Sequence, residues 1–363
     1  MTQQATIDQT KAEAFVGKVL ADTTGMTVTL MAHLGDRLGI FKELAANGPA
    51  TSDQLAGRAG INERYAREWL SAMACAGYLE YDTSSSRFTL PAEHTPVLAQ
   101  EYGPFFFGGT HQMLVGMLGV LDKVERAFRD GGGVPQSAYH DHFWCGLERF
   151  TGAWFENLLV DAWIPAVPDV QAKLQNGVAV ANVCSVADVG CGWGRALIKL
   201  AQTYPNSRYV GYDIFEPTIA EAAANSEKAG VSDRVSFKHL DVVEGLPEQY
   251  DVITTFDVIH DMVNPRGALR AIRQALKPDG TYLLLEINCS DKLEENFGPI
   301  GALFYSVSVL YCMSTSLAEN GEGLGTCGLP PSKVRELCEE AGFGSVRQLP
   351  LENPFNILYE IKP

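Results

Sequence analysis

The residues with the clearest chemical potential in this chain are acids and glycines placed where predicted strands end. Asp188 stands ahead of the alternating glycines Gly190, Gly192 and Gly194, with Cys191 between the first two. Glycines at a strand-to-helix turn allow a sharp bend and let a ligand approach the backbone closely. The run therefore predicts a ligand site at the start of a helix, where Cys191 is suitable because it is small.

Further acids follow the next three predicted strands. Asp213 ends the second strand, 19 residues beyond Gly194, where its two oxygens can accept the hydroxyls of a ribose. Asp241 follows the third strand and can accept an amino group, and Asp257 follows the fourth. The predicted ligand site is completed by their neighbours Ile214, Val242 and Phe256.

Two features distinguish this pattern from a dinucleotide site. Arg195 occupies the sixth position of the fingerprint GxGxxG, where dinucleotide-binding proteins have a third glycine. The acid at position 188 suits a positively charged group on the ligand. We therefore favour a cationic ligand without a pyrophosphate, and a nicotinamide oxidoreductase is the alternative.

A histidine follows the fourth predicted strand. Segment 257–262 contains His260 and Asp261, which should lie at the carboxyl edge of the sheet. A histidine at this place is suited to deprotonating a phenol or another hydroxyl near neutral pH. Two other interpretations stay open, a pocket residue that moves no proton and a structural residue that caps the next helix.

The second half of the chain alternates between strands and helices, which indicates an α/β fold with a doubly wound, Rossmann-like sheet. Seven strands are predicted at residues 183–189, 208–213, 234–240, 251–256, 281–287, 345–349 and 355–362. The last two should form an antiparallel hairpin at the sheet edge, because only a short link joins them. Helices are predicted at 195–202, 217–230, 265–276 and 331–341.

The first part of the chain has the order helix, turn, helix and hairpin. Apolar residues recur at helical spacing over 28–45, and shorter helices start at Thr51 and Asn62. Two short alternating segments, 78–81 and 87–90, then predict a β-hairpin. This order is that of a mainly helical winged-helix domain.

These boundaries predict three domains. Residues 1–95 form the winged-helix domain, 96–177 a helical connector and pocket lid, and 178–363 the Rossmann-like domain. Glycines 131–133 predict a mobile loop, and the glycine-rich segment 320–328 a flexible flap. Segment 297–317 is nearly uncharged and aromatic, so it lines an apolar pocket or packs in a core or dimer interface.

In this order the motifs resemble those of class I S-adenosylmethionine-dependent methyltransferases. The resemblance rests on segment 188–195, Asp213, Asp241 and the Leu-Lys-Pro-Asp-Gly sequence at 276–280, and it covers the last half of the chain. With the winged-helix start, the chain is similar to small-molecule O-methyltransferases of bacteria and plants. The resemblance implies S-adenosylmethionine as the cofactor and a homodimer formed through the N-terminal domain.

The same resemblance implies catalytic roles. His260 and Asp261 resemble the catalytic pair of plant O-methyltransferases, in which a glutamate at the end of the fifth strand orients the histidine. Glu286 holds the matching place, whereas Met262 departs from the tryptophan that usually follows the pair. The implied reaction is methyl transfer to a small apolar or aromatic hydroxylated acceptor, with His260 as general base. O-methylation is favoured, although N-, S- or C-methylation uses the same scaffold.

The composition bears on partners and compartment. A net charge of −16 opposes nucleic-acid binding, which depends on Lys and Arg neutralising phosphates. The alternative function is a winged-helix transcription regulator with a vestigial or ligand-sensing second domain. Against it, the acids Glu63 and Glu68 balance Arg64 and Arg67 in the candidate recognition helix.

Other signals exclude further classes. The eight scattered cysteines contain no CxxC pair, and no apolar run is expected to span a membrane. The N-terminal segment has no signal-peptide pattern, which predicts a cytoplasmic protein without a membrane partner. His140 and His142 alternate around Asp141, but a capped helix start is favoured there and no metal is predicted.

Overall fold

The computed structural model describes residues 7–178 and 183–363. The chain divides into two compact units. One runs to Val115 and includes Cys145–Ala153, and the other consists of Gly116–Trp144 and Trp154–Pro363. The residues predicted to bind the cofactor and to act in catalysis all belong to the second unit.

The first unit starts with four helices, α1 (Gln9–Arg37), α2 (Ile40–Asn47), α3 (Ser52–Ala59) and α4 (Glu63–Cys75). The single helix predicted over 28–45 is wrong, because Gly39 has a φ of 69° and separates α1 from α2. Thr51 and Gln54 form a capping box at the start of α3, and the Asn62 side chain caps α4. The predicted starts of α3 and α4 are therefore correct.

A small hairpin follows these helices. Strand β1 (Glu80–Asp82) pairs antiparallel with β2 (Arg87–Thr89), which confirms the predicted wing. The core beneath it includes Phe41 and Trp69, whose rings meet edge to face with centroids 5.2 Å apart. The Trp69 indole N–H donates to the carbonyl of Met31 over 2.8 Å, so the buried ring keeps its polar group satisfied.

The middle of the chain is helical, as predicted. It contains α5 (Thr95–Leu98), α6 (Gly108–Met117), α7 (Leu121–Asp130), α8 (Asp141–Trp154), the π-helix Phe155–Trp163 and α9 (Pro168–Asn176). The loop predicted to be mobile at 131–133 is closely packed at its last residue, Gly133. A Cβ on Gly133 would lie 1.8 Å from the Ser314 carbonyl oxygen, and the Val134 N–H donates to Ser314 Oγ over 3.0 Å.

The second unit contains a seven-stranded sheet with the predicted fold class. Its strands are β3 (Cys184–Val189), β4 (Ser207–Asp213), β5 (Val235–His239), β6 (Tyr250–Phe256), β7 (Leu276–Ile287), β8 (Ser345–Gln348) and β9 (Asn356–Lys362). The order is β5-β4-β3-β6-β7-β9-β8. Strands β3 to β7 are parallel, whereas β9 pairs antiparallel with both β7 and β8.

Helices connect these strands. They are α10 (Arg195–Thr203), α11 (Glu216–Lys228), α12 (Pro265–Ala275) and α15 (Pro331–Glu340), with α13 (Pro299–Val307), the π-helix Ser308–Cys312 and α14 (Met313–Ala318) after β7. The chain leaves β3 towards β4 on one side, and β6 lies on the other side of β3. This switch point is where open α/β sheets bind ligands, at the carboxyl ends of the strands.

The insert after β7 forms one long helical segment. Pro299–Ala318 is the one described helix with the length and apolar composition of a membrane-crossing segment, and 39% of its most apolar window is buried. The expectation that no run reaches that length was therefore wrong. Buried helices of soluble proteins have the same composition, so this match is only weak support for a membrane span.

Candidate functional site

The glycine-rich loop joins β3 to α10. Gly190, Gly192 and Gly194 have φ values of 75°, 51° and 78°, which disfavour any residue with a Cβ. A Cβ on Gly190 would lie 2.5 Å from the Val258 side chain, and one on Gly194 would lie 2.4 Å from Phe237. A Cβ on Gly192 would meet nothing within 4 Å, so the loop has open space on this side.

Cys191 faces inward from the same loop. Its backbone N–H and that of Gly190 donate to the carbonyl of Tyr212, over 3.1 and 2.7 Å. Its Sγ lies beside Gly211 of β4, where a Cβ would be 2.7 Å away. Burial raises the pKa of this thiol well above its usual range. The side chain of Cys191 therefore packs against β4, and the predicted cofactor contact of Cys191 stays a prediction.

Asp213 holds the glycine loop and the end of β4 together. Its Oδ2 accepts the backbone N–H of Gly192 and its Oδ1 accepts that of Phe215, both over 2.9 Å. Burial raises its pKa, against the effect of these two hydrogen bonds. Each carboxylate oxygen can accept more than one hydrogen bond, so the predicted contact to a ribose remains available.

Asp188 is buried at the carboxyl end of β3. Its Oδ1 accepts the hydroxyl of Thr254 over 2.7 Å. Burial raises its pKa to about 7, with a smaller contribution from the Asp213 charge and an opposing one from the Thr254 hydrogen bond. A cationic ligand would favour the ionised form of this carboxyl, which agrees with the predicted contact to a positively charged group.

The predicted adenine contacts lie after β5 and β4. Asp241 caps the short 3-10 helix Val242–Glu244, where its Oδ1 accepts the Val243 N–H over 3.0 Å. Val242 is buried in the core, whereas Ile214 is 55% exposed. An exposed isoleucine beside Asp213 is available to contact a flat ring, and the two roles stay predictions.

Phe256 and Asp257, at the end of β6, differ in their surroundings. The Phe256 ring stacks on Trp163 with centroids 5.8 Å apart, so packing already occupies one of its faces. Asp257 has a φ of 54°, and both of its carboxylate oxygens lie within 2.9 Å of the Asn356 side-chain nitrogen. Burial and then Glu286 raise its pKa well above its usual range. The carboxylate of Asp257 therefore contacts β9, and only its backbone remains for the predicted cofactor contact.

His260 is buried between carboxylates. Its Nδ1 lies 2.6 Å from Oε2 of Glu286, which confirms the proximity predicted from the resemblance. Its Nε2 lies 3.2 Å from Oδ1 of Asp261. Burial disfavours a charged ring, but the attraction of Glu286 and Asp261 outweighs it, so the pKa of His260 is raised well above its usual range.

Residues that the sequence did not single out surround this pair. The Cys312 thiol interacts with both His260 and Asp261, and it accepts the Thr326 hydroxyl over 2.9 Å. Burial raises the pKa of Cys312 to about 12, so it remains a thiol. Cys312 is 52 residues from His260 in the chain, and no spacing signal connects them.

The segment predicted as a flap packs against this cluster. The Gly325 N–H donates to the carbonyl of His260 over 3.2 Å, and Thr326 is buried. A Cβ on Gly325 would lie 2.2 Å from Ser308 Oγ. The glycines of 320–328 therefore allow close contact between this segment and the helical segment Pro299–Ala318. The prediction of a flexible flap at 320–328 is corrected to a packed segment.

Aromatic rings lie beside the cluster. Tyr139 meets Tyr311 edge to face, with ring centroids 5.3 Å apart. The ring centroids of Phe143 and Tyr311 are 4.5 Å apart. Trp144 stacks on Phe215, two residues after Asp213, with centroids 4.8 Å apart. Both phenols interact electrostatically with Asp261. These rings therefore connect the surroundings of Asp213 with those of Asp261.

Among the residues that the structure describes, two groups of three side chains have possible metal-ligating atoms within 4.8 Å of one another, and both groups contain His260. Since the ring is held by carboxylates, we interpret both groups as one buried ion-pair network. At the start of α8, His140 Nδ1 accepts the backbone N–H of His142 over 3.2 Å, which is a capping contact. The expectation that no metal binds stays a prediction.

A cavity of about 590 Å³ lies beyond the end of β7. Cys289, Phe297, Phe304 and Cys327 are among its lining residues, together with Asp291. No residue of the His260 network lines it. We therefore do not assign the acceptor to this cavity.

Two family models match the chain. Residues 26–100 match a Rv2258c-like winged HTH domain, and residues 182–337 match a methyltransferase domain. The first match contains α2 to α4 with the hairpin, and the second contains β3 to β7 with the glycine-rich loop and His260.

The chain is also similar to individual methyltransferases. A 3-hydroxy-5-methyl-1-naphthoate 3-O-methyltransferase from Streptomyces sahachiroi is 27% identical over 307 residues, which are 79% of this chain and 81% of that enzyme. A ubiquinone biosynthesis O-methyltransferase from Pseudomonas savastanoi pv. phaseolicola is 32% identical over 30% of this chain and 46% of that enzyme. The solved structure of human N-acetylserotonin methyltransferase with SAM has a TM-score of 0.68 at 17% identity, and covers 99% of each chain.

Proposed function

We propose that this chain, which is a class I S-adenosylmethionine-dependent methyltransferase with an N-terminal winged-helix domain, methylates a hydroxyl group on a small apolar or aromatic acceptor. The predicted family, enzyme class and cofactor are confirmed by the methyltransferase-domain match and by the fold shared with methyltransferases. The identity of the acceptor and the residue that removes its proton are our own proposals.

The observation that carries this proposal is the position of the His260 network. It lies at the carboxyl edge of the sheet, after β6, and it adjoins the aromatic rings of Tyr139 and Tyr311. A proton-accepting network beside aromatic walls suits a phenol or a similar hydroxyl. The relative from Streptomyces sahachiroi is named for methylating a hydroxynaphthoate, which is such an acceptor.

S-adenosylmethionine fits the residues after β3 and β4. Gly192 leaves open space beside Asp213, which we assign to the ribose hydroxyls. Asp188 suits the amino group because ionisation of its buried carboxyl becomes favourable beside a cation. We keep Asp241, Ile214 and Val242 as adenine neighbours and the Phe256–Asp257 backbone at the methionine end.

The chemical task of the protein is alignment, exclusion of water and removal of one proton. Bound S-adenosylmethionine supplies a methyl group on a sulfonium, which is a good leaving group. The aromatic rings of the second unit would orient a flat acceptor. The network of His260, Asp261 and Glu286 would take its proton; His260 and Glu286 are buried, and the Asp261 side chain is 21% accessible.

The DNA-binding alternative finds little support in helix α4. Arg64 is paired with Glu68, and Arg67 with Glu63, so both arginines of this helix are neutralised within the helix itself. Phosphate attraction requires net positive charge, and the whole chain carries −16. We therefore propose that no nucleic acid is a partner.

We also propose a homodimer formed through the first unit. Helix α1 exposes Phe15, Val16, Val19, Leu20 and Met26, each at least 46% accessible. At 3.6 residues per turn these side chains lie within an arc of roughly 140°. An apolar stripe of this kind on a long helix is typical of an interface. The proposed location is the cytoplasm without membrane attachment, and the proposed domains remain 1–95, 96–177 and 178–363.

The test combines binding and turnover with the full chain. Isothermal titration should give binding of S-adenosylmethionine and S-adenosylhomocysteine and none of NADH. Hydroxynaphthoates and simple phenols should then be methylated on oxygen, whereas their O-methyl ethers should not react further. Binding of the sulfur compounds without turnover of any hydroxylated acceptor would contradict the proposed acceptor class.

A further inference from the structure

We propose that Cys289 and Cys327 form a redox-sensitive dithiol site, which hydrogen peroxide oxidises to a disulfide that ties segment 320–328 to the end of β7. Both side chains are free thiols in this structure. The proposal goes beyond the methyl transfer proposed above and does not depend on it, because its tests need no acceptor.

The two thiols meet in the folded chain although 38 residues separate them. The Cys289 thiol donates to the backbone carbonyl of Cys327 over 3.6 Å, and it is also a hydrogen-bond partner of the Cys327 thiol. Both side chains pack in one small cluster with Phe304 and Phe355. Thiols in such contact need only a short approach to reach the S–S bond length of about 2 Å.

Hydrogen bonds fix the backbone next to each thiol. The Asn288 N–H donates to the carbonyl of Phe355 over 2.8 Å, immediately before the first cysteine. The Thr326 N–H donates to Ser308 Oγ over 3.2 Å, immediately before the second one. The fold therefore holds the two sulfur atoms near each other, as disulfide formation requires.

A cavity gives a small oxidant access to the pair. Cys289 and Cys327 both line the cavity of about 590 Å³ beyond the end of β7, which is far larger than hydrogen peroxide. Cys289 is 5% exposed, whereas Cys327 is only partly buried. Cys327 is therefore the thiol that an oxidant reaches first.

The surroundings also favour Cys327 as the reacting thiol, because the thiolate is the form that attacks peroxide. The hydrogen bond from the Cys289 thiol lowers the pKa of Cys327 against the effect of burial, with smaller contributions from His260 and from a Tyr305 hydrogen bond. The same contact between the thiols, and then burial, raise the pKa of Cys289. We therefore assign the attack to Cys327 and the second step to Cys289.

A metal site is the other chemistry that two neighbouring thiols can supply. Structural zinc is almost always bound by four protein ligands. Within residues 7–178 and 183–363, the groups of three possible ligands with atoms less than 4.8 Å apart contain neither Cys289 nor Cys327. The geometry therefore favours a disulfide over a bound metal.

The reaction balances with hydrogen peroxide as the oxidant. The Cys327 thiolate attacks one oxygen, the O–O bond breaks, and the departing hydroxide takes a proton from solvent, which leaves a sulfenic acid on Cys327. The Cys289 sulfur then attacks the Cys327 sulfur, the S–O bond breaks, and the hydroxide leaves as water with the Cys289 proton. Two thiols are oxidised to one disulfide, and one peroxide is reduced to two waters.

The disulfide restrains the segment that packs on His260. The Gly325 N–H donates to the His260 carbonyl over 3.2 Å, and the Thr326 hydroxyl donates to the Cys312 thiol over 2.9 Å. Cys327 directly follows these two contacts. A covalent bond from Cys327 to the end of β7 therefore opposes local opening of segment 320–328.

The first test maps the product in the wild-type full chain. After treatment with one equivalent of hydrogen peroxide, blocking of the remaining thiols and digestion, mass spectrometry should find Cys289 joined to Cys327. Dithiothreitol should release the link, and the same treatment in concentrated urea should show no preference for this pair. No cross-link in the folded protein, or a preferred link between other cysteines such as Cys312 and Cys327, would overturn the proposal.

The second test separates the roles of the two thiols. Cys289→Ser removes the second thiol, so the sulfenic acid on Cys327 should persist and react with dimedone about tenfold more than in wild type. Cys327→Ser should leave Cys289 unlabelled. Cys75→Ser is the matched control and should behave as wild type, because Cys75 is exposed at the end of α4 in the first unit.

Titration with S-adenosylmethionine checks that each variant is folded. Equal dimedone labelling of wild type and Cys289→Ser would overturn the second step, and labelling of Cys289 in Cys327→Ser would overturn the assignment of the attack.

The third test measures the restraint on the segment. Amide hydrogen exchange of residues 325–328 should be slower in the oxidised protein than in the reduced protein, and dithiothreitol should restore the faster exchange. The amides of α4 should exchange equally in both forms. Exchange at 325–328 that is unchanged or faster in the disulfide form would overturn the proposed restraint.

Discussion

The backbone N–H of Gly192 donates to Asp213 Oδ2 over 2.9 Å, across the carboxyl ends of β3 and β4. This hydrogen bond joins the loop after β3 to the end of β4, and these two strands are neighbours at the switch point of the sheet. The carboxylate assigned to the ribose therefore also holds the glycine-rich loop in place. Loss of its charge should affect the site in two ways, through the ligand and through the loop.

We expect Asp213→Asn to weaken S-adenosylmethionine binding by about 10- to 100-fold, since a hydrogen bond to a charged group contributes roughly 1.5 to 3 kcal/mol. Isothermal titration measures this change. Asp233→Asn is the matched control, because Asp233 is 67% accessible and outside the site. Equal affinities of the two variants would exclude Asp213 from the cofactor site.

Gly190→Ala tests the contact between the loop and Val258. Its φ of 75° costs about 1 to 2 kcal/mol for any residue with a Cβ, and the clash at 2.5 Å adds about 1 to 3 kcal/mol. Gly230→Ala is the control, because it has a φ of 70° and nothing within 4 Å. Urea unfolding should show a larger loss of unfolding free energy for Gly190→Ala than for Gly230→Ala. Val258→Ala should reduce the difference between the two glycine variants. Identical losses at both glycines would mean that the contact is unimportant.

Asp188 should make stability depend on pH. Burial raises its folded pKa to about 7, above the value of about 3.9 expected in the unfolded chain. The stability it contributes is complete below pH 4 and is lost as the pH rises towards 7. Asp188→Asn cannot ionise, so the ligand-free variant should gain on the order of 1 to 4 kcal/mol relative to wild type between pH 4 and pH 8.

Asp251 provides a comparison of opposite sign. Burial disfavours its ionisation, but hydrogen bonds from Ser185 and Lys277 outweigh burial and lower its pKa. Its stability contribution is therefore present above the unfolded pKa and is lost as the pH falls through the folded one. Asp251→Asn should destabilise the protein at pH 7 and less so at low pH. If the unfolding free energies of Asp188→Asn and Asp251→Asn changed with pH in the same way, the opposite pKa directions assigned to the two carboxyl groups would be contradicted.

The apolar stripe of α1 predicts the oligomeric state. Val19→Glu places a charge in the stripe and should shift the protein towards the monomer, because an unpaired charge in an apolar interface is strongly unfavourable. Ala21→Glu, about half a turn away from the centre of the stripe, should leave the dimer unchanged. Sedimentation velocity measures both. A wild-type monomer, or a dimer unaffected by Val19→Glu, would remove the proposed interface.

Local patterns were sufficient for much of the fold. Strands β3 to β7, the glycine-rich loop and the helix caps at Thr51 and Asn62 follow from short-range spacing and from the restricted conformations of particular residues. Position 39 shows the limit, because an apolar pattern ran through a glycine that ends one helix and starts another. Whether a single glycine breaks a helix depends on the packing of the two segments.

The sequence by itself determined the order of the strands along the chain and the carboxylates at their ends, and the resemblance to plant O-methyltransferases predicted Glu286 beside His260. Only the tertiary structure decided which carboxylates flank that histidine and which residue is the partner of Asp257, an asparagine 99 residues away on β9. The reason is physical. Residue type and spacing follow from backbone periodicity, whereas the pKa of a buried group depends on side chains that folding brings together from distant segments.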